Sequence, residues 1–193
     1  MAAEPQETEG LLLPAGSIFS ERLELRLVGY RDLAALLRVH SVPEVNRYLP
    51  FETWQGMEDA ELWYEKAVQR HKDQEAIQWV ICSRGGSDLY GSCLLFGYEE
   101  EHQRAELGYG IGKDYWGQGL AKEAVARMIN YAFDELGLRR LDARVDPRNT
   151  ASCGLLLNLG FALEGCLRER QYLKGELVDV NLFGLLRSEW CPC

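Results

Sequence analysis

The chain has little positive charge, few histidines and no long apolar run. Among its 193 residues, 21 are lysine or arginine, 30 are aspartate or glutamate and three are histidine, so the formal net charge is −9. Because nucleic-acid binding needs a basic surface, we expect no direct nucleic-acid partner. No segment approaches the roughly 20 apolar residues of a membrane span, and we expect no membrane association. An acidic surface can attract amines or basic polypeptides, or can serve solubility alone.

The cysteines do not have the spacing of a metal site. The six cysteines are scattered, without a C-x-x-C pair or a His/Cys cluster of zinc spacing, so we expect no metal. Cys191 and Cys193 form a C-x-C pair close to the end of the sequence. The N-terminal segment has no basic region and its short apolar run stops at Pro14, unlike a signal peptide. We therefore expect reduced thiols and a cytoplasmic protein.

The apolar pattern predicts a flexible arm at 1–20 and a single domain at 21–193. The predicted strands are 21–28, 77–83, 89–98, 104–111, 141–145, 161–173 and 176–186. The predicted helices are 32–40, 57–72, 119–136 and 150–159, with a short helical piece at 44–49. The early helices either wall a substrate cleft or only cover the sheet. The strand–helix–strand order predicts one parallel pair in an otherwise mostly antiparallel sheet of about seven strands and four helices, an α/β (α+β) fold.

A strand with regularly spaced glycines precedes a glycine-rich loop and a helix start. One face of this strand carries Ala105, Leu107, Tyr109 and Ile111, and the other carries Glu106, Gly108, Gly110 and Gly112. Because glycine weakens a strand, this bare face predicts that a ligand lies flat against it. The Gly117-Gln118-Gly119 loop leads into the helix, where free N–H groups favour a phosphate. The pattern therefore predicts a long ligand that carries a phosphate.

These segments resemble the GNAT superfamily, the Gcn5-related N-acetyltransferases. The family's phosphate motif is Q/R-x-x-G-x-G/A, and W-G-Q-G-L-A at 116–121 matches it except that Trp116 replaces Gln or Arg. Downstream, the chain resembles the Rim-type branch, which contains the ribosomal-protein alanine N-acetyltransferases. The matching segments are N-T-A-S at 149–152, L-G-F at 159–161, L-E-G-C-L at 163–167, Y-L at 172–173 and D-V-N-L at 179–182. The resemblance covers roughly residues 20–187.

The resemblance implies a sheet splayed between the strands at 106–111 and 141–145, with the pantetheine arm of acetyl-CoA in the splay. It implies acetyl-CoA as the co-substrate, no metal, and acetyl transfer to a primary amine. Backbone N–H groups between Leu107 and Tyr109 are candidates to hold the acetyl carbonyl oxygen. The implied acetyl-CoA-binding residues are Leu107, Gly108, Tyr109, Gly110, Ile111, Trp116, Gly117, Gln118, Gly119, Leu120, Ala121, Asn149 and Ser152.

Two residues are the catalytic candidates. Glu106 resembles the glutamate that many family members use as a general base; its alternative is a surface or ion-paired glutamate. Ser152 corresponds to the Rim-type serine that can protonate the leaving thiolate; its alternative is a helix-capping hydroxyl. Many members carry a tyrosine acid where this chain has Leu156, and some carry a glutamate where it has Gln171. These differences place the base role on Glu106, Glu164 or solvent.

A site without one assigned general base is better suited to an acceptor amine of low pKa. At pH 7 an α-amine is neutral about one-tenth of the time, whereas a lysine amine is neutral only about 1/2500 of the time. A general base contributes about 10²–10⁴ to the rate. We therefore predict a polypeptide N-terminus as the acceptor. A small amine such as a polyamine, antibiotic or amino acid stays an alternative, as does a non-catalytic acyl-CoA-binding module, and a monomer and a homodimer both stay open.

Overall fold

Alternating apolar side chains build one mixed sheet between two layers of helices. The computed structural model describes residues 16–191. The strands are β1 (Ile18–Phe19), β2 (Leu23–Leu27), β3 (Ala76–Ser83), β4 (Leu89–Glu99), β5 (Arg104–Ile111), β6 (Arg140–Val145), β7 (Ala162–Leu173) and β8 (Glu176–Leu186). The helices are α1 (Leu33–His40), α2 (Pro43–Asn46), α3 (Met57–Lys72), α4 (Leu120–Asn130) and α5 (Thr150–Asn158), and a π-helical turn (Tyr131–Glu135) extends α4. Among the helices within 16–191, none is long and apolar enough to cross a membrane.

The strands follow the order β1-β2-β3-β4-β5-β6-β8-β7, and all neighbours are antiparallel except β5 and β6. The parallel pair is joined only at Arg104 with Arg140, Ala105 with Leu141, and Glu106 with Asp142. Beyond that point β5 continues to Ile111 beside β4, while β6 continues beside β8. The two strands therefore separate and leave a slot between them. The predicted fold class and the predicted splay are confirmed.

The sheet has eight strands because β1 lies within the predicted arm. Ile18 pairs with Leu25 of β2 and is buried in the core. A strand of two residues is too short to show the alternation on which a sequence prediction depends. The folded domain thus begins before residue 21, and residues 1–15 of the predicted arm lie outside the described part of the chain.

Two apolar layers cover the two faces of the sheet. On one face, Ile77, Trp79 and Ile81 of β3 pack with α4 and α5. On the other face, Val80 and Cys82 of the same strand pack with α1 and α3. Because both faces of β3 are buried, its sequence is an almost continuous apolar run rather than an alternation.

His40 and Asn46 fasten the short helix α2 to the end of α1. The two side chains are buried, and the imidazole Nδ1 lies 2.9 Å from the Asn46 Oδ1. Asn46 Nδ2 donates to the carbonyl oxygen of His40, which also accepts the Trp54 N–H at 3.0 Å. Since an amide oxygen only accepts, Nδ1 carries the proton. Burial lowers the pKa of His40, which favours the neutral ring in the folded protein.

We expect acid to weaken the fold, because protonation places a charge on the buried His40 ring. The pKa of His40 is lower in the folded protein than in the unfolded chain, where it is about 6.5. The unfolded chain therefore binds a proton first as the pH falls below about 6.5, and the free energy of unfolding drops by up to about 1.4 kcal/mol per pH unit. Urea unfolding between pH 8 and pH 5 measures this drop. It should be smaller in His40→Gln and unchanged in the exposed control His102→Gln; equal slopes in all three proteins would contradict it.

Gly91 in β4 is the glycine that the sheet cannot replace. A Cβ at this position would lie 2.0 Å from the carbonyl oxygen of Gly110 in the neighbouring strand. The obstacle is a backbone atom, so relief requires the strands to move apart. Gly154 in α5 is the opposite case, because a Cβ there meets nothing within 4 Å.

Gly91→Ala should therefore lower the free energy of unfolding by about 1–3 kcal/mol, as overpacking does. Gly154→Ala should raise it by about 0.5–1 kcal/mol, since alanine is the better helix residue. Chemical denaturation of the two variants beside the wild type tests both signs. A Gly91→Ala variant as stable as the wild type would show that the two strands tolerate separation.

Candidate active site

The slot lies where β5 and β6 separate, and a helix begins shortly after each of these strands. β5 ends at Ile111 and α4 begins at Leu120, while β6 ends at Val145 and α5 begins at Thr150. Because the two strands are parallel, both helix starts lie at the same edge of the sheet. Free N–H groups at helix N-termini favour anions, so this edge is suited to a ligand with phosphate groups.

The loop before α4 has the form of an anion cradle. Gly117 and Gly119 have φ values of 73° and 76°, a left-handed conformation that favours glycine. Among residues 16–191, the backbone N–H groups of 117–121 donate no hydrogen bond to another protein group. The Trp116 Nε1 donates to the carbonyl oxygen of Ile111 at 2.7 Å, and the Gln118 Nε2 donates to that of Asp114 at 3.0 Å. These two side chains thus hold the loop, while its backbone groups stay free.

Arg22, which the sequence reasoning missed, braces the cradle from the turn between β1 and β2. Its backbone N–H and its Nε donate to the Glu123 carboxylate at 2.7 and 2.6 Å, and its Nη1 donates to the carbonyl oxygen of Gln118 at 3.1 Å. The Ser20 hydroxyl donates to the same carboxylate at 2.7 Å. Glu123 is in the first turn of α4, so these contacts neutralise a negative charge beside the free N–H groups.

Glu106 lies at the point where the strands separate. Its side chain is 15% exposed. Its Oε2 is 3.2 Å from the Nε of Arg144, which lies on β6 two residues after Asp142, the pairing partner of Glu106. Burial raises the pKa of Glu106; the Arg144 guanidinium acts in the opposite direction, and the Asp142 carboxylate adds to the rise. The raised pKa makes this carboxylate a stronger proton acceptor than an ordinary glutamate. No pattern in the sequence indicated Arg144.

Tyr109 and Ser152 meet across the slot. The Tyr109 hydroxyl oxygen is 2.7 Å from the Ser152 Oγ, so the bond joins β5 to the first turn of α5. The Ser152 N–H donates to the Asn149 Oδ1 at 3.2 Å, which makes Asn149 the helix cap. The Ser152 hydroxyl is therefore not the cap. Sequence reasoning had assigned Tyr109 a backbone role only; its position on the face opposite the glycines was the available signal for the hydroxyl.

The protein's own side chains cover part of the glycine face of β5. A Cβ at Gly108 would lie 2.8 Å from Leu94, and one at Gly110 would lie 3.7 Å from Leu49. Gly112 follows the strand and lies under Val39 and Tyr115. Gly108 and Gly110 are themselves only partly buried, so a ligand arm lying flat on this face stays a prediction. The edge of β5 that faces the slot is open as well.

The remaining predicted residues of β5 and α4 present their backbone rather than their side chains. Leu107, Ile111 and Leu120 are buried in the core on the α4 side. Ala121 is partly buried against the same core. These four residues can therefore contact a ligand only through their main-chain atoms.

The segment after α1 closes the slot on the face opposite to α4 and α5. Leu49 lies over Gly110, and the Tyr48 hydroxyl donates to the carbonyl oxygen of Arg148 in the β6–α5 loop at 3.1 Å. Lys174, in the turn between β7 and β8, donates to the carbonyl oxygen of Asn46 at 2.5 Å. This segment, 42–50, therefore reaches from β5 to the far side of the slot and forms a wall.

Glu164, the second candidate base, forms an ion pair with Arg140. Arg140 holds it in a two-fold contact at 2.9 and 2.6 Å, and this guanidinium lowers the pKa of the Glu164 carboxyl. Arg140 also bonds Asp142, so the three side chains form one chain of charges across the sheet. Gln171 is exposed on β7. Glu106 is thus the carboxylate that the slot itself presents.

Comparisons with known proteins agree on one family. The family described as an acetyltransferase (GNAT) domain matches residues 22–162. The uncharacterised N-acetyltransferase p20 of Bacillus licheniformis is 34% identical over 174 residues, which are 90% of this chain and 98% of p20. The ribosomal protein uS5-alanine N-acetyltransferase of Escherichia coli is 26% identical over 189 residues, which are 93% of this chain and 95% of that enzyme.

A solved structure supports the same relationship. The acetyltransferase of the GNAT family from Bacillus anthracis superposes with a TM-score of 0.80 at 25% identity, covering 90% of this chain and 99% of its own. The match of the family to most of the chain, together with the splayed sheet and the cradle before α4, leads to one conclusion. The chain belongs to the GNAT family and is an N-acetyltransferase.

Proposed function

We propose that this N-acetyltransferase transfers the acetyl group of acetyl-CoA to the α-amine of a polypeptide N-terminus. The observation that carries the proposal is the slot, which has Glu106 on one face of the sheet and the Tyr109–Ser152 pair on the other. The family uses acetyl-CoA, which supplies an activated acetyl thioester. The similarity to an enzyme named for the alanine of ribosomal protein uS5 supports a polypeptide acceptor.

The residues present fit acetyl-CoA. The free N–H groups of 117–121 and the start of α4 would hold its pyrophosphate. The open edge of β5, from Leu107 to Ile111, would bond the amide groups of the pantetheine arm, and Asn149 stands at the opposite side of the slot. Backbone N–H groups of this edge would hold the acetyl carbonyl oxygen as its charge increases.

Glu106 would take the proton that the amine loses. It lies on the face covered by α1 and the wall 42–50, because alternation places it with Gly108 and Gly110. Its raised pKa suits an acceptor that is only partly protonated at pH 7. An α-amine fits this condition, since about one-tenth of it is neutral without help.

Ser152 would return a proton to the sulfur. It lies at the start of α5, on the face opposite to Glu106, and its hydroxyl is not used as the helix cap. Leu156, at the family's tyrosine position, is fully buried and has no hydroxyl to offer. The base and the acid thus lie on opposite faces of the sheet, so the amine and the thiolate would exchange protons with different groups.

Arg144→Gln should move the acid limb of the pH profile of kcat/KM to higher pH. Activity falls as the pH drops through the pKa of Glu106, and the Arg144 guanidinium lowers that pKa, so its removal raises it. Glu106→Gln should lower kcat/KM by about 10²–10⁴. All variants are measured with the same peptide acceptor, so the titration of its amine contributes equally to each pH profile.

The control for this series is Arg187→Gln, because Arg187 is exposed and pairs at 3.5 Å with Asp134 on the surface. Its profile should match that of the wild type. An acid limb that stays in place in Arg144→Gln, together with full activity of Glu106→Gln, would remove Glu106 as the base.

The acceptor is tested with three matched amines and mass spectrometry. We expect a peptide with a free N-terminus and no lysine to be acetylated with a higher kcat/KM than an N-terminally blocked peptide with one lysine, or than spermidine. Acetylation of lysine or spermidine alone would refute the polypeptide N-terminus. CoA binding without CoA release for any amine would instead identify a non-catalytic acyl-CoA-binding module.

A further inference from the structure

Ser152 alone is a poor proton donor, and the structure places a second hydroxyl behind it. Among the described residues, 16–191, the Ser152 Oγ bonds only the Tyr109 hydroxyl, at 2.7 Å, and that hydroxyl has no other protein partner. The Ser152 N–H is held by Asn149, so the serine is fixed on both sides. If Tyr109 donates to the Ser152 Oγ, the serine's own proton is free to point into the slot.

The surroundings of Tyr109 favour the protonated form of its phenol. It is partly buried against the core formed with α4 and α5, and burial raises the pKa of Tyr109 to about 12. It stays a donor throughout the range in which an α-amine is neutral. Tyr109 belongs to the strand along which the thioester would lie, so it is held by the β4–β5 ladder rather than by a loop.

Leu156 on α5 has no hydroxyl to offer to the slot. That leucine lies on α5 itself, one turn after Ser152, and its side chain is fully buried. Tyr109 reaches the same helix from the opposite side of the slot. A phenol is thus supplied to the first turn of α5 by β5 instead of by the helix.

We propose that Tyr109 is a positioning residue that supplies the proton which Ser152 passes to the departing sulfur. This inference rests on the proposed acetyl transfer. As the carbon–sulfur bond breaks, the sulfur takes the Ser152 hydroxyl proton, and the Ser152 oxygen takes the Tyr109 hydroxyl proton. The resulting phenolate recovers a proton from solvent. The proton lost by the amine leaves separately through Glu106, so charges and protons balance.

Tyr109→Phe tests the proposal with little change of volume. We expect kcat with acetyl-CoA to fall about 10²-fold while the KM for acetyl-CoA changes less than about twofold. Ser152→Ala should cost about the same, and the double variant no more than either single variant, because the two hydroxyls act in series. Tyr90→Phe, a change in the same core, is the matched control and should keep the wild-type kcat.

The leaving group separates a proton relay from a structural bond. An acetyl thioester of an acidic aromatic thiol needs no proton when it leaves, so the ratio of wild-type to Tyr109→Phe rates should fall toward one with this donor. Fluorinated tyrosine at position 109, a more acidic phenol, should move the basic limb of the kcat profile to lower pH. A structural role predicts the same ratio for both donors and an unmoved limb.

The outcomes distinguish this inference from the function on which it rests. A wild-type protein that releases no CoA with any amine refutes the acetyl transfer and the relay together. A wild-type protein that turns over, with a Tyr109→Phe variant of equal kcat, refutes the relay alone. A Tyr109→Phe variant with lower kcat but the same loss with the aromatic thioester also refutes it, because the loss then does not depend on protonation.

Discussion

The structure depends on a parallel strand pair that is joined at only three positions. β5 and β6 share the pairs from Arg104–Arg140 to Glu106–Asp142 and then separate, each held on its outer side by an antiparallel neighbour. The outer ladders prevent the slot from closing. The inner edge of β5 therefore keeps free backbone donors and acceptors inside a folded protein, where they normally have partners. A ligand that offers alternating polar groups can supply those partners.

The chemistry of the site follows from the two faces of β5. Successive side chains of a strand point to opposite faces, so Glu106 and Tyr109, three residues apart, lie on opposite sides of the sheet. Glu106 faces the wall after α1 and meets Arg144, whereas Tyr109 faces α5 and meets Ser152. One strand thus carries both the proposed proton acceptor and the proposed proton donor. Of the glycines on the Glu106 face, Gly108 has a packing reason, because a Cβ there would lie 2.8 Å from Leu94.

Much of the fold was predictable because its signals are local. The bounds of α3, β5 and β8 follow directly from periodicity and from glycine turns, and the crossover from β5 through α4 to β6 required a parallel pair. The cradle before α4 was predictable for the same reason, since the left-handed Gly117 and Gly119 and the helix start are neighbours in sequence. The strand β1 was missed, because two residues are too few to show an alternating apolar pattern. The side chains beside the glycine face were not predictable, because they come from β4 and from the segment 42–50.

The sequence by itself determined the class of the fold, the parallel crossover, the anion cradle and the resemblance to the acetyltransferases. Each depends on residues within one element or on the order of elements. Only the tertiary structure decided which side chains share the slot. Arg144 beside Glu106, Tyr109 beside Ser152 and Arg22 beside Glu123 are separated by between 38 and 101 residues, and no period or motif connects them. Their meeting is a consequence of where β5 and β6 separate, which is a property of the whole sheet.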